Sequence, residues 1–243
     1  MCQMCEQPQQ ENSRRGFLSL LGAAATAGYA LAGNALAAEV KAPPKPQNVV
    51  TPDAALALLS AGNKRYVEGV MRRHDFRNER EPLAKGQNPY AAILSCADSR
   101  IAPELAFDSA RGDLFVCRVA GNFANDDIVA SLEYAVAVLK TPLIMVLGHS
   151  ACGAVASTIE SLRDNTTLPG HLPSLVANLT PAVKASQGKP GDLLDNAIRQ
   201  NVSDTVQKLK GAAPILNASV TAAKLKIVGA VYRLADGHVD IVA

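Results

Sequence analysis

The sequence predicts an α/β fold: a mostly parallel central β-sheet flanked by helices, with an antiparallel edge strand. Three short, continuous apolar runs are typical of strands buried on both faces: "YAAILSC" (90–96), "DLFVCRVA" (113–120) and "PLIMVLG" (142–148). Helical patterns lie between and after these runs. Such alternation of strands and helices is typical of a parallel sheet with helices on its faces.

The first predicted helix covers residues 51–69, with Thr51 as a possible N-cap, Pro52 in the first turn and an end near Gly69. The charged segment 71–89 is predicted to be a loop or a short helix. It leads directly into the first predicted strand.

A second long helix is predicted in "NDDIVASLEYAVAVLK" (125–140), which has an acidic start. We expect Asn122, Asp126 and Asp127, which follow the second strand, to cap this helix. A further helix is predicted to begin near Cys152.

The last part of the chain is predicted to be helical over residues 173–225, with a break in "SQGKPGD" (186–192). Two apolar runs then flank an Asp236-Gly237 turn: "KIVGAVYRL" (226–234) and "HVDIVA" (238–243). This pattern predicts a closing hairpin and therefore the antiparallel edge strand.

The N-terminal segment has the layout of an export signal. Arg14 and Arg15 precede an apolar run, and small residues follow at Ala35 and Ala37. We expect residues 1–37 to be a cleavable twin-arginine-type signal peptide. The alternative is an uncleaved membrane anchor, but the run is short and rich in small residues for a stable span.

Three segments follow from that boundary: the signal peptide, a Pro-rich linker over residues 38–50, and a single catalytic domain over residues 51–243. The mature protein is expected to be periplasmic or otherwise exported, with no stable membrane anchor after cleavage. Cys2 and Cys5 leave with the signal peptide, although their C-x-x-C spacing also occurs in metal and redox sites.

Composition excludes some function classes. The 24 basic and 22 acidic residues give a net charge of +2 and are well mixed, so no nucleic-acid surface or polybasic membrane patch is predicted. The mature chain keeps three cysteines: Cys96, Cys117 and Cys152. An odd number argues against a purely disulfide role. Cys117 lies in the middle of a strand and is predicted to be a buried, inert thiol.

The remaining two cysteines lie where functional groups gather in parallel sheets, at the carboxyl ends of strands. Cys96 ends the first strand, while His149 and Cys152 end the third strand and open the following helix. Taken singly, a strand-end Cys is usually a core residue. Together, two thiolates and one imidazole suit one Zn²⁺ per chain and leave a fourth position for water, as in catalytic zinc sites.

Asp98 and Arg100 follow Cys96 closely. A carboxylate beside a zinc-bound hydroxide can accept its hydrogen, and an arginine fork can keep that carboxylate ionised and oriented. The alternative is that Asp98 caps a turn and that Arg100 is a surface residue.

"CADSR" and "HSACGAV" resemble the two signature segments of the β-class carbonic anhydrases, and "GDLFVCRVAGN" and "SLEYAVAVL" are also similar to that family. The resemblance covers about residues 50–243. It implies that Cys96, His149 and Cys152 ligate zinc and that Asp98 and Arg100 form the catalytic dyad. It further implies a homodimer or a larger homo-oligomer built from dimers, with the site near the subunit interface. The implied reaction is reversible hydration of CO₂ to bicarbonate and a proton, by attack of zinc-bound hydroxide.

The chain departs from the family at two places. Many members have a Gln just before the Gly-Asp of the second strand, where this chain has Ser109 and Ala110. Some members have a non-catalytic bicarbonate site with a Trp three residues before the first zinc Cys. Ile93 stands there and the chain has no Trp, so Arg118 alone is not expected to form that site.

Two details of the reaction are left open by the sequence. In some members the matching Asp becomes the fourth zinc ligand at low pH, and we expect Asp98 to be capable of this. The proton shuttle candidates are His74, His171 and His238, by residue type alone. Each is otherwise a solvated loop residue.

Two other functions are compatible with these motifs. One is a hydrolase of a CO₂ analogue, CS₂ or COS, on the same scaffold. The other is a non-catalytic zinc-stabilised or thiol redox protein, which would have no need of the Asp98–Arg100 pair.

Overall fold

A computed structural model describes residues 50–243. The predicted signal peptide and the linker up to residue 49 therefore lie outside the described residues. From residue 50 onward, none of the helices combines the length and the apolar character that crossing a membrane requires.

The described residues contain a five-stranded sheet in the order β2-β1-β3-β4-β5. The strands are β1 (Ala91–Ser95), β2 (Leu114–Arg118), β3 (Leu143–His149), β4 (Lys226–Tyr232) and β5 (Val239–Ile241). Neighbours are parallel except β4 and β5, which are antiparallel. The predicted fold class, including the closing hairpin, is confirmed.

The chain changes its direction of winding at β1. This strand pairs with β2 on one side and with β3 on the other, so Leu94 lies between Cys117 and Val146. In open α/β sheets, the crevice outside the carboxyl ends at such a switch point is where ligands bind. The sheet order thus places a crevice next to the ends of β1 and β3.

Eight helices accompany the strands in the described part of the chain: α1 (Pro52–Val67), α2 (Arg80–Ala84), α3 (Pro103–Ala106), α4 (Asp126–Ala137), α5 (Gly153–Arg163), α6 (Leu172–Ser186), α7 (Leu193–Gly211) and α8 (Ile215–Thr221). The first prediction is confirmed, because the Thr51 hydroxyl caps α1 by accepting from the Ala54 amide at 3.2 Å. The break after α6 is also confirmed. The short helix α3 and the second break at 212–214 were not predicted.

The predicted cap of α4 is wrong. The side chain of Asn125 accepts the Ile128 amide at 3.0 Å and caps this helix. Asn125 has the extended backbone that an N-cap needs, whereas Asp126 and Asp127 already belong to the first turn. Asn122 has a positive φ of 42° and lies in the preceding loop.

Helices cover both faces of the sheet. Leu143, Met145 and Leu147 of β3 lie in a buried cluster with residues of α1 and α3. Ile144 and Val146 point to the other face and lie in a cluster with residues of α4 to α8. This alternation explains why β3 reads as a continuous apolar run, since each face of the strand is buried in a separate core.

Gly62 lies where α1 comes close to the backbone at the end of α3. A Cβ atom at this position would lie 1.8 Å from the carbonyl oxygen of Phe107, which directly follows α3. Helix propensity favours Ala over Gly by about 1 kcal/mol, but a clash with backbone costs more. We expect Gly62→Ala to lower the free energy of unfolding by about 2 kcal/mol or more, measured by urea denaturation.

Gly211→Ala is the matched control, because no atom lies within 4 Å of the Cβ it would add at the end of α7. We expect that variant to be as stable as the parent or slightly more stable. Equal midpoints for the parent and Gly62→Ala would contradict the close approach of α1 and α3.

Candidate metal centre

Three side chains converge at the carboxyl ends of β1 and β3. Cys96 directly follows β1, His149 is the last residue of β3, and Cys152 is the N-cap residue of α5. Their ligating atoms all lie within 4.8 Å of one another, and all three residues are buried. Among the residues that the structure describes, no other group of three or more His, Cys, Asp or Glu side chains converges in this way.

The His149 ring is held in one orientation. Its Nδ1 lies 2.9 Å from the carbonyl oxygen of Ser150. Because a carbonyl only accepts, Nδ1 carries the proton and Nε2 keeps its lone pair. Ser150 is itself fixed, since its amide donates to the carbonyl of Tyr232 at 2.9 Å and its hydroxyl accepts the Leu234 amide at 3.0 Å.

The lone pair on His149 Nε2 has no hydrogen-bond partner, although the atom is buried. A buried polar atom without a partner is uncommon and costs about 1–3 kcal/mol. The turn to Cys152 also uses an uncommon conformation, because Ala151 has a positive φ of 53°. This turn brings the Cys152 thiol close to the His149 ring.

Two groups lie within hydrogen-bond distance of the Cys96 sulfur. The Cys152 Sγ atom lies 4.0 Å from Cys96 Sγ, and the amide of Gly121 donates to Cys96 Sγ at 3.2 Å. The contact with Cys152 and the donated Gly121 amide lower the pKa of the Cys96 thiol, even though burial opposes this. The Gly121 N–H donor stabilises the thiolate form of Cys96, which is the form that binds metals.

Asp98 and Arg100 form a two-pronged ion pair. Arg100 Nε donates to Asp98 Oδ1 at 2.9 Å, and Arg100 Nη2 donates to Asp98 Oδ2 at 2.7 Å. The Arg100 guanidinium holds the pKa of the Asp98 carboxyl well below its usual range, against a smaller effect of burial. The Arg100 amide also donates to Asp98 Oδ1 at 2.9 Å, so the alternative of a turn-capping Asp98 is true at the same time.

The carboxylate of Asp98 also faces the convergent side chains. Its Oδ2 atom lies 3.7 Å from His149 Nε2. This short distance places the Asp98–Arg100 pair and the Cys-His-Cys cluster in one site. Asp98 is paired with Arg100 in this structure, and its ability to become a fourth metal ligand stays a prediction.

Arg118, at the end of β2, has a role that sequence reasoning missed. Its guanidinium donates to three backbone carbonyls of the segment after β1: Cys96 at 3.0 Å, Asp98 at 2.7 Å and Ile101 at 3.0 Å. Arg118 therefore holds the backbone that carries both Cys96 and Asp98. Gly121 was missed as well, although a Gly in the loop after an adjacent strand is a signal for close backbone approach.

The donor set fits a tetrahedral metal. Two thiolates bound about 2.3 Å from a tetrahedral Zn²⁺ lie about 3.8 Å apart, close to the 4.0 Å between Cys96 Sγ and Cys152 Sγ. The unpartnered lone pair of His149 supplies the third donor. The cluster could hold a metal with no rearrangement of the fold.

Comparison with known proteins identifies the family. The family model described as carbonic anhydrase matches residues 91–239. A carbonic anhydrase of Mycolicibacterium smegmatis is 37% identical over 191 residues, covering 78% of this chain and 93% of that protein. The solved β-carbonic anhydrase CcaA is 31% identical with a TM-score of 0.59, covering 77% of this chain and 98% of that chain. The chain belongs to the β-class carbonic anhydrases.

Two further matches agree with this family. Carbonic anhydrase 2 of Mycobacterium tuberculosis is 38% identical over 189 residues, covering 77% of this chain and 91% of that protein. A tetrameric β-carbonic anhydrase of Sordaria macrospora has the same fold, with a TM-score of 0.61 at 23% identity, covering 79% of this chain and 98% of that chain. The β-carbonic anhydrases are enzymes, so the non-catalytic alternative is not supported.

Several residues singled out in the sequence lie apart from the metal cluster. His74 Nε2 is 3.6 Å from the Asp108 carboxylate, and His238 Nδ1 is 3.2 Å from the Asp236 carboxylate. His171 is the N-cap residue of α6 and is exposed. The role of any of these three histidines as a proton shuttle stays a prediction.

Ser109 and Ala110, which stand where many family members have a Gln, both lie just before the second strand. The Ser109 hydroxyl is buried, 2.9 Å from the Tyr90 hydroxyl, and donates to the Phe107 carbonyl at 3.2 Å. The Ala110 amide donates to the Asp113 carboxylate at 2.8 Å. Cys117 is buried as predicted, and burial raises the pKa of its thiol.

Removing the Arg118 side chain should weaken the metal centre. In Arg118→Met, three carbonyls lose a charged donor, and each such hydrogen bond contributes about 1.5–3 kcal/mol. We expect metal affinity, measured by competition with a chelator, to fall about 10–100-fold, as for other residues that orient metal ligands.

Arg111→Met is the control, because Arg111 donates to the backbone carbonyl of Phe76 and lies apart from Cys96 and Asp98. Its metal affinity should match that of the parent. An unchanged affinity in Arg118→Met would show that the segment after β1 holds its shape without this arginine.

Proposed function

We propose that this β-carbonic anhydrase catalyses the zinc-dependent, reversible hydration of CO₂ to bicarbonate and a proton. The observation that carries the proposal is the Asp98–Arg100 ion pair directed at the Cys96–His149–Cys152 cluster. A closed structural zinc has four protein ligands and needs no carboxylate beside it. Three donors with an adjacent acceptor are the arrangement of a catalytic site.

Cys96, His149 and Cys152 would hold one Zn²⁺ per chain, through two Sγ atoms and Nε2. When bound, zinc lowers the pKa of a water ligand to about 7, which supplies hydroxide at neutral pH. The two thiols and one imidazole form the borderline-soft donor set that zinc prefers over magnesium or calcium. This choice of metal rests on donor chemistry and on the buried, unpartnered His149 Nε2.

Asp98 would orient the reacting water. Because Arg100 keeps its carboxylate ionised, Asp98 accepts hydrogen bonds and donates none. Asp98 Oδ2 faces His149 Nε2 and would accept a hydrogen from the water, which directs the oxygen lone pair at the carbon of CO₂. Arg100 Nη2 also lies 3.4 Å from the Ala151 carbonyl, which ties the dyad to the turn before Cys152.

The reaction leaves the chain with a proton to release. His74 and His238 each face a carboxylate elsewhere in the described chain, so neither supplies an argument for a dedicated relay. We propose that the proton passes from the site directly to water and buffer.

Removing the Asp98 carboxylate should separate catalysis from metal binding. Asp98→Asn keeps the size of the side chain but loses the charge and the ion pair with Arg100. We expect zinc content near one per chain and a fall of about 10²-fold or more in kcat/KM for CO₂ hydration, measured by stopped flow. Cys96→Ser should lose zinc and activity together.

Asp164→Asn is the matched control, since Asp164 forms the same two-pronged pair with Arg163, at 2.8 and 3.0 Å, on the exposed surface. It should keep full activity. CS₂ and COS are tested in parallel. Hydrolysis of either, with no CO₂ hydration by zinc-loaded protein, would reverse the assignment in favour of the hydrolase.

We also propose that the protein is a homodimer or a larger homo-oligomer of dimers. The tetrameric relative of Sordaria macrospora and the exposed apolar side chains of Leu105, Tyr134 and Val138 support this. Apolar surface that is exposed in a single chain often marks an interface between subunits.

We further propose export through the segment 1–37, on the strength of Arg14, Arg15 and the small residues that precede position 38. We expect the N-terminus of the exported protein to be Ala38, as determined by N-terminal sequencing. Replacing both arginines by lysine should leave the uncleaved chain in the cytoplasm. Cleavage and export of that double variant would contradict a twin-arginine signal.

A further inference from the structure

Helix α7 reaches the metal centre through the loop that follows β2, residues 119–125. The Asn201 side chain, on α7, is buried with 4% of its surface exposed. Its Nδ2 donates to the carbonyl of Gly121 at 2.7 Å. The amide of the same Gly121 donates to Cys96 Sγ at 3.2 Å. One glycine thus connects a helix side chain with a candidate metal ligand.

Gly121 needs an external restraint to keep this orientation. Its φ is +87°, and a Cβ there would lie 2.9 Å from Leu179 Cδ1, so the position requires glycine. Glycine has the widest choice of backbone conformations, and its amide has no intrinsic preference for the sulfur. The Asn201 amide fixes the carbonyl on one side of the Cα, which leaves the N–H on the other side directed at Cys96.

The hydrogen bond from the Gly121 amide acts directly on the Cys96 sulfur. An N–H donor withdraws electron density from a thiolate and stabilises its charged form. Hydrogen bonds to sulfur tune metal–thiolate centres in this way. Loss of this donor would leave an electron-richer thiolate whose position is less restrained.

We propose that Asn201 is a positioning residue for the metal centre: it holds Gly121 so that its amide donates to the Cys96 sulfur. The inference rests on the proposed metal site of Cys96, His149 and Cys152. Within residues 50–243, the Asn201 side chain donates to the Gly121 carbonyl and not to a proposed metal ligand or to the Asp98–Arg100 pair.

The test uses the full chain loaded with Co²⁺, whose thiolate charge-transfer band reports on the sulfur. We expect Asn201→Leu and Asn201→Ala to shift this band to longer wavelength, because an electron-richer thiolate gives up charge to the metal at lower energy. Affinity for Zn²⁺, measured by chelator competition, should fall about 10–100-fold. A loss of stability that leaves the Gly121 amide on the Cys96 sulfur would not move the band.

Lys208→Met is the matched control. Lys208 lies on the same helix and donates to the carbonyl of Ala124 in the same loop, at 2.5 Å. The Lys208→Met substitution removes a hydrogen bond between α7 and the loop but keeps the Asn201–Gly121 hydrogen bond. We expect its band and its zinc affinity to match those of the parent.

The outcomes are distinguishable. A parent chain that shows no thiolate band with Co²⁺ would refute the proposed metal site. A parent with the band, and Asn201 variants whose band and affinity are unchanged, would refute the role of Asn201 alone. An equal shift in Lys208→Met would assign the effect to general support of the loop and would also overturn the inference. Far-UV circular dichroism and thermal unfolding identify a variant that has failed to fold. The role of Asn201 is then judged from the band and the zinc affinity of the Asn201 variant that does fold.

Discussion

The parallel pairing of β1 with β3 is the constraint on which the site depends. Ser95 lies opposite Leu147, so Cys96 leaves β1 level with Gly148, directly beside His149. A slip of one residue would turn every side chain of a strand to the opposite face and would separate the thiol from the imidazole. The register is held by burial, since both faces of β3 are covered by apolar clusters. The packing of the core on both faces of β3 therefore also sets the distance between Cys96 and His149.

Around this pair, the site is fixed mainly by backbone groups. The Ser150 carbonyl sets the His149 tautomer, the Gly121 amide faces Cys96, and Arg118 gathers three carbonyls of the segment after β1. Backbone groups vary little in position once the sheet has formed, whereas long side chains lose conformational entropy when they are ordered. A site built in this way is preorganised, because its donors point at the metal position before any metal arrives.

The sequence predicted the parts of this site that depend on local pattern. Cys96 and His149 were found because they follow apolar runs, and Cys152 because it opens the next helix. Asp98 and Arg100 were found because a spacing of two allows direct pairing. Contacts across long separations were not predictable. Gly121 lies 25 residues from Cys96, and Asn201 lies 80 residues from Gly121. These contacts depend on the order β2-β1-β3 and on where α7 crosses the sheet, neither of which follows from alternation of strands and helices. The α4 cap was missed for a smaller reason, since Asn125 and Asp126 differ only in which of them adopts an extended backbone.

The geometry that suits a metal also exposes the site to oxidation. Two free thiols 4.0 Å apart need to move by only about 2 Å to reach the length of a disulfide bond. In an oxidising compartment, metal-free protein would thus be open to a bond that removes two of the three donors. A metal held by both sulfurs would prevent this, because the thiolate lone pairs would be engaged. The twin-arginine route, proposed above for residues 1–37, carries proteins that have already folded, so the metal would be able to bind before the thiols meet an oxidant.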